Sequence, residues 1–173
     1  MAKALFDTGV IISLCDREDK ERKTKASHLY GILKKNGFEV CFSERSKNEL
    51  LIKPSESRIH FLEIHPMVSY FIGNETWDQI EGSWENLSSD WNTSDIESEI
   101  HERIGNWLRR NRDLQDKGIL LDAILNKCKL FVHENPKDYN RVPYEFWSEF
   151  GLVEIDLLND PIEKILKTAA NNG

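Results

Sequence analysis

Residues 3–16 read KALFDTGVIISLCD, and the carboxylate of Asp7 in this stretch stands between two apolar runs. The first run, residues 4–6, has the composition of a short buried strand. A charged group between two buried segments is costly unless it is paired or holds a metal ion. Asp7 is therefore either a turn residue or part of a site, and the surrounding sequence has to distinguish the two.

The segments that follow alternate between helix-like and strand-like patterns. Residues 19–35 carry apolar side chains at helical spacing, and residues 38–42 alternate like a strand. Ser43 is suited to cap a further helix over residues 44–53. The order strand, helix, strand, helix predicts an α/β fold with three layers, in which helices flank a central, mostly parallel sheet.

The C-terminal part of the chain continues this alternation. A buried helix face follows Asp116, and the apolar residues that come after it have the composition of another strand. Pro161 suits the first turn of a final helix. The remaining predicted elements are a strand over 129–132, a loop over 133–142, a short helix over 143–150 and a last strand over 152–155.

The middle of the chain differs from both ends. We expect one domain over residues 1–173, with a helical insertion at 70–111 that contains a capping box at 94–97. No Lys or Arg occurs between residues 74 and 102, so base stacking is a poor explanation for the aromatic residues there. Packing, or contact with a protein partner, explains better the tryptophans at seven-residue spacing, Trp77, Trp84 and Trp91.

The charge of the chain is acidic but unevenly distributed. The formal net charge is −7, which argues against a general nucleic-acid coat. A group of basic residues nevertheless precedes and follows Asp116 and predicts a local basic surface that steers a phosphate backbone. Its candidate RNA-binding members are Arg109, Arg110 and Arg112, with Arg103 and Lys117 nearby.

Composition also predicts the compartment. No apolar run approaches the roughly 20 residues that a membrane helix needs, and the N-terminus lacks the pattern of a signal peptide. The three cysteines, Cys15, Cys41 and Cys128, have no paired spacing and each stands among apolar residues. They are expected to be free core thiols in a reducing compartment, which favours a cytoplasmic protein without membrane contact.

Acidic and amide side chains fall near the ends of predicted strands. Asp7 follows the first strand, Glu49 lies in the helix after the second, and Asp116 opens the helix before the third. Asn135 and Asp138 follow that third strand. The carboxyl ends of parallel strands meet at one edge, where carboxylates would repel one another without a cation. Oxygen ligands favour Mg²⁺ or Mn²⁺. A cluster of carboxylates that holds such an ion indicates phosphodiester hydrolysis.

Several assignments stay open at this point. Asp113 and Asp122 compete with Asp116, although Asp113 is also a plausible helix cap. Glu44 is better explained as a first-turn acid favoured by the helix dipole than as a site residue. An aspartate-nucleophile phosphatase would need a second Asp two residues after Asp7, where this chain has Gly9.

Three motifs together resemble the PIN-domain family of metal-dependent ribonucleases, which includes many toxin components of bacterial toxin–antitoxin pairs. The motifs are ALFDTGVIISL at 4–14, FSERSKNEL at 42–50 and DKGILLDAILNKCKLFVHENPKDY at 116–139. They occur in the family's order and at fitting spacings. The resemblance covers residues 1–55 and 112–157.

The resemblance implies a site and its partners. Asp7, Glu49, Asp116 and Asp138 would be catalytic and, with Asn135, would hold Mg²⁺ or Mn²⁺. The substrate would be RNA, and an antitoxin-like protein and a second copy of the chain are further expected partners. Thr8 and Ser43 would use their hydroxyl groups to hold the carboxylates or bound waters in place.

The chain departs from the family pattern at several positions. Gly9 replaces a frequent Asn, and His133, which we interpret as a loop or packing residue, replaces a small hydroxyl residue. Lys117 and Gly118 stand where Ala or Leu is usual. The amide of Asn135 is a weaker metal ligand than a carboxylate. These departures favour a second hypothesis, a PIN-like scaffold without activity that binds a protein partner.

Overall fold

The structure is a computed structural model that describes residues 1–16, 19–69, 91–109 and 114–172. These residues form an α/β domain of five strands and nine helices. In chain order the elements are β1 (Lys3–Phe6), α1 (Thr8–Cys15), α2 (Lys20–Lys35), β2 (Glu39–Ser43), α3 (Glu44–Leu50), α4 (Glu56–Ile64), β3 (Met67–Val68), α5 (Trp91–Trp107), α6 (Leu114–Leu125), β4 (Leu130–His133), α7 (Pro136–Tyr139), α8 (Tyr144–Glu149), β5 (Val153–Asp156) and α9 (Ile162–Asn171).

The strands form a single parallel sheet in the order β3-β2-β1-β4-β5. β1 is central, and its Leu5 pairs with Cys41 of β2 on one side and Phe131 of β4 on the other. Because every strand runs in the same direction, the carboxyl ends of all five lie along one edge. The predicted parallel α/β fold is confirmed.

Helices cover both faces of the sheet. Side chains alternate along β1, so that Ala4 and Phe6 enter one hydrophobic core while Leu5 enters the other. The first core is completed by α1, α2 and α9, and the second by α5, α6 and α8. The two cores on opposite faces give the three layers that the sequence predicts.

Two local predictions about the first half of the chain need correction. The apolar residues 10–12 belong to α1, whose first turn begins directly after Asp7, so the chain opens as strand, helix, helix, strand, helix. The main-chain carbonyl of Asp7 accepts from the amides of Val10 and Ile11, which fixes this abrupt start. The helix predicted over 44–53 ends at Leu50 instead, four residues before Pro54.

Two predictions about the second half also need correction. The predicted loop at 133–142 contains α7, which Pro136 starts from a first-turn position that suits its fixed φ. The capping box predicted at 94–97 lies inside α5 and therefore does not start a helix. The elements α4 and β3 were not expected, because β3 has only two residues and α4 has little apolar periodicity.

The predicted insertion at 70–111 is described only in part. Residues 70–90 and 110–113, with Trp77 and Trp84, lie outside the described residues. The described part, 91–109, consists mainly of α5, and Ile100 and Ile104 of this helix and Leu108 directly after it are buried in the same core as α6.

The cysteines in the described chain are free thiols, as predicted. Cys41 and Cys128 are buried, with their Sγ atoms 3.9 Å apart, and Cys15 is half-buried. Among the described helices, none combines the length and the apolar composition that crossing a membrane requires.

Candidate acidic site at the carboxyl edge of the sheet

Asp7 is held at the carboxyl end of the central strand by its backbone. Its amide donates to the carbonyl of Val132 on β4 at 2.9 Å, while its side chain makes no capping bond to α1. The residue is only 5% exposed, and its Oδ1 atom is buried without a hydrogen-bond donor among the described residues. A buried carboxylate oxygen without a partner is costly, and a bound cation would relieve that cost.

Other carboxylates surround Asp7. The pKa of Asp7 is raised from 3.8 to about 8, first by burial and then by the negative charges of Asp116, Glu49 and Glu134, against a backbone hydrogen bond at Thr8 that lowers it. These charges act on Asp7 only because they lie close in a poorly hydrated region. The structure therefore brings Glu49 and Asp116 to the same edge as Asp7.

Asn135 joins two of the predicted carboxylates. Its Nδ2 donates to Oδ2 of Asp138 at 2.7 Å and to Oδ2 of Asp116 at 3.1 Å. Asp138 is 8% exposed and also lies 3.5 Å from the guanidinium of Arg141. The amide thus offsets part of the repulsion between two carboxylates that come from α6 and α7.

Tyr139 forms the buried floor of the site. Its hydroxyl donates to the main-chain carbonyl of Asp116 at 3.3 Å. The pKa of its phenol is raised well above 10, first by burial and then by the negative charges of Asp7, Asp116, Glu49 and Asp138. All four predicted catalytic residues therefore lie within electrostatic reach of one side chain. Tyr139 is not among the predicted site residues, because an aromatic residue after a strand is usually a packing residue.

Glu134 is a further carboxylate that the sequence analysis missed. It follows β4 directly, as Asp7 follows β1, so the same strand-end argument would have found it. Its Oε1 atom is buried without a donor among the described residues, and its Oε2 lies 3.8 Å from Arg22. Burial raises its pKa. A Cβ at Gly9 would lie 3.6 Å from Oε2, an ordinary contact distance, so the carboxylate lies directly beside the start of α1.

The two predicted supporting hydroxyls have structural partners. Thr8 donates from Oγ1 to Oγ of Ser46 at 3.0 Å, which ties α1 to α3. Ser43 donates to a carboxylate oxygen of Asp122 and accepts from the amide of Arg45 at 3.1 Å. Asp122, an alternative to Asp116 on the same helix, is 1% exposed and is occupied by this bond.

The remaining predicted residues lie at the margin of the site or outside the described chain. His133 is fully buried, accepts from the amide of Asn135 at 3.1 Å and contacts Glu154 at 2.7 Å. These bonds anchor the loop that carries Asn135. Arg109 is exposed and its Nε donates to the carbonyl of Asn106 at 2.6 Å. The predicted residues outside the described chain are Arg110 and Arg112, with the alternative Asp113.

The donor set has the chemistry that a hard divalent cation requires. In the described part of the chain, no three His, Cys, Asp or Glu side chains are already arranged as a metal-binding group. The carboxylates nevertheless supply only oxygen ligands, and two of their oxygens, on Asp7 and Glu134, are buried without donors. Unpartnered buried oxygens beside further carboxylates fit Mg²⁺ or Mn²⁺ better than a softer metal.

Comparison with known proteins identifies no family. A scan against protein-family models finds no match to the chain, and a search of the curated proteins finds no significant match. The class defined by the fold and the site is an α/β protein with an acidic cluster at the carboxyl edge of a parallel sheet.

Proposed function

We propose that the chain is a Mg²⁺- or Mn²⁺-dependent endoribonuclease of the PIN type. The observation that carries this proposal is the buried Oδ1 of Asp7, which has no hydrogen-bond partner among the described residues and stands among acidic side chains that raise the pKa of Asp7. The order and spacing of the three sequence motifs support the same assignment.

The ion would be held by carboxylates from four different elements. Asp7 at the end of β1, Glu49 of α3 and Asp116 of α6 would be ligands, with Asp138 of α7 beside them. Glu134 is a candidate additional ligand, because its unpartnered Oε1 is buried near Asp7. When bound, the ion would lower the pKa of water and neutralise charge on the phosphodiester.

The residues of the chain prepare the site in three ways. The backbone bond from Asp7 to Val132 fixes the position of the main chain that carries the carboxylate at the end of β1. The neutral phenol of Tyr139 closes the floor and keeps water out. Asn135 holds Asp116 and Asp138 together and would present its amide oxygen to a cation after a rotation of the amide group.

The proposal includes the setting of the enzyme. Its substrate would be RNA in the cytoplasm, and the buried free thiols of Cys41 and Cys128 support a reducing compartment. An antitoxin-like protein partner and a homodimer belong to the proposal through the family resemblance alone.

The test is cleavage of an end-labelled RNA of mixed sequence with Mn²⁺, with Mg²⁺ and with EDTA. We expect cutting with the ions and none with EDTA, and a loss of at least about a hundredfold in Asp7→Asn because a ligand is removed. Glu39→Gln is the matched control, since Glu39 begins β2 at the opposite edge of the sheet. Cleavage that persists in EDTA, or that Asp7→Asn leaves intact, would contradict the proposal.

One observation favours a second candidate, the inactive scaffold that binds a protein partner. The amide of Asn135 already donates hydrogen bonds to both Asp116 and Asp138. A donor in that position offsets part of the repulsion between the two carboxylates, as a bound cation would. If the wild type neither cuts RNA nor gains thermal stability with Mn²⁺, this candidate replaces the nuclease.

A further inference from the structure

Two cationic side chains near the acidic site lie directly over glycines of neighbouring helices. Arg45 of α3 crosses Gly118 of α6 so closely that a methyl group at Gly118 would overlap its Nε and Cδ atoms. Lys117 of α6 crosses Gly105 of α5 in the same way, and a Cβ there would lie 2.8 Å from its Nζ. Each glycine therefore leaves room for a cationic side chain to lie close against a neighbouring helix.

Both cations come from the helices that carry candidate metal ligands, Glu49 of α3 and Asp116 of α6. Arg45 lies one helical turn before Glu49, so the two residues share a face of α3. Lys117 follows Asp116 directly, and Gly118, which Arg45 contacts, is two residues beyond Asp116. Arg45 therefore lies where α3 meets α6, the two helices that carry Glu49 and Asp116, and Lys117 lies where α6 meets α5.

The two positive charges also converge on α5. The pKa of His101 is lowered, first by burial and then by the charges of Lys117 and Arg45. His101 of α5 therefore lies within electrostatic range of both Lys117 of α6 and Arg45 of α3. This agrees with the glycine contacts and indicates that α3 and α6 bring their cations to the same side of α5.

A phosphate backbone needs such a surface on this chain. The net charge of −7 opposes the approach of RNA, and the acidic site without its metal repels phosphate as well. A pair of positioned cations beside the acids would offset that repulsion and release counterions from the RNA. Side chains confined by packing lose little freedom when they bind.

We infer that Arg45 and Lys117 form a phosphate-binding patch that holds single-stranded RNA beside the acidic site. The identity of the anion rests on the proposed function, while the patch itself rests on the two glycine contacts. Its two residues are not among the RNA-binding candidates Arg109, Arg110 and Arg112 that the sequence predicts.

The first test measures RNA binding without cleavage. The probe is a fluorescein-labelled, single-stranded RNA of mixed sequence in EDTA, followed by anisotropy at several salt concentrations. Arg45→Ala and Lys117→Ala should each weaken binding about fivefold, and the double variant should lower the slope of log K against log salt by about 1.4. The charge-matched control is Lys35→Ala with Lys129→Ala, two exposed lysines at the amino edge of the sheet.

Gly118→Ala tests the geometry without removing a charge. The added methyl group would push the flexible end of Arg45 off α6, and alanine is otherwise favourable inside a helix. We expect weaker RNA binding with an unchanged or higher melting temperature. Normal binding by Gly118→Ala, or equal binding by the patch and control double variants, would overturn the inference.

These experiments distinguish failure of the proposed phosphate-binding patch from failure of the proposed nuclease. If the wild type binds RNA through Arg45 and Lys117 but cleaves nothing with Mn²⁺, the patch stands and the proposed enzyme fails. If the wild type cleaves RNA while the patch variants bind and cleave normally, the enzyme stands and the patch fails. Wild type that does not bind the probe in EDTA also rejects the patch.

Discussion

Asp7 dominates the site at the scale of single residues because its charge is both buried and surrounded by like charges. Without a metal ion, the folded chain keeps the Asp7 carboxyl protonated to a much higher pH than the unfolded chain does. The fold therefore holds the residue in a state that is costly at neutral pH, and this cost is measurable in the metal-free protein.

The metal-free protein should lose stability as the pH rises from about 4 to about 8. The folded pKa of about 8 lies above the ordinary value of 3.8, so the unfolded state binds fewer protons across this range. The stability that proton binding at Asp7 contributes is complete below the unfolded-state pKa of 3.8 and is lost as the pH rises through the folded-state pKa of about 8. Its full size is on the order of 5 kcal/mol.

Urea unfolding in EDTA at stepped pH checks this prediction. Asp7→Asn should flatten most of the pH dependence and stabilise the metal-free protein at the alkaline end. Glu39→Gln, at the other edge of the sheet, should keep the wild-type profile. Parallel profiles for wild type and Asp7→Asn would mean that Asp7 is hydrated and not buried as described.

Asn135 determines whether Asp116 and Asp138 are held together by its amide or are available to bind a metal ion. Asn135→Asp would remove the amide donor and add a carboxylate beside Asp116 and Asp138. We expect metal-free stability to fall by about 1–3 kcal/mol and affinity for Mn²⁺ to rise about tenfold. Isothermal titration and urea unfolding measure the two effects.

Asn135→Ala is the comparison, since it removes the donor without adding a charge. It should also lower the metal-free stability but should not strengthen Mn²⁺ binding. If Asn135→Asp binds Mn²⁺ no better than Asn135→Ala, residue 135 does not face a cation.

At the scale of elements, the site depends on how β2, α3 and α6 are tied together. The hydroxyl of Ser43, at the end of β2, donates to the buried Asp122 of α6 and also caps α3 through the amide of Arg45. One small side chain therefore fixes the approach of the two helices that carry Glu49 and Asp116.

Ser43→Ala should destabilise the protein by about 2–3 kcal/mol, because it removes a helix cap and leaves Asp122 buried without this donor. Chemical denaturation measures the loss. Thr8→Ala is a useful comparison, since its bond to Ser46 involves no charge and should cost only about 1 kcal/mol. A smaller loss in Ser43→Ala than in Thr8→Ala would contradict the proposed role of Ser43.

At the scale of the whole molecule, local patterns predict the architecture well. Apolar runs and helical spacing are properties of neighbouring residues, so the parallel sheet, its three layers and the strand-end position of Asp7 follow from the sequence. The strand-end argument also places Asn135 at that edge. Applied consistently, it would have added Glu134, which follows β4 without an intervening residue.

Other features depend on packing between distant segments and have no local signal. The contact of Arg45 with Gly118 joins residues 73 positions apart in the sequence, and only the folded chain explains why glycine stands there. The same holds for Ser43 with Asp122. The helix α1 was missed for a different reason, because its short, mostly apolar sequence shows no clear helical period.

The most direct test of the central claim is Mn²⁺ binding by electron paramagnetic resonance, with wild type, Asp7→Asn and Glu39→Gln titrated at neutral pH. The account predicts that wild type and Glu39→Gln bind Mn²⁺ alike and that Asp7→Asn loses at least about tenfold in affinity. Mn²⁺ should also compete with Mg²⁺ for the same site. Absence of binding by the wild type, or equal binding by Asp7→Asn, would contradict a metal site at the carboxyl edge of the sheet.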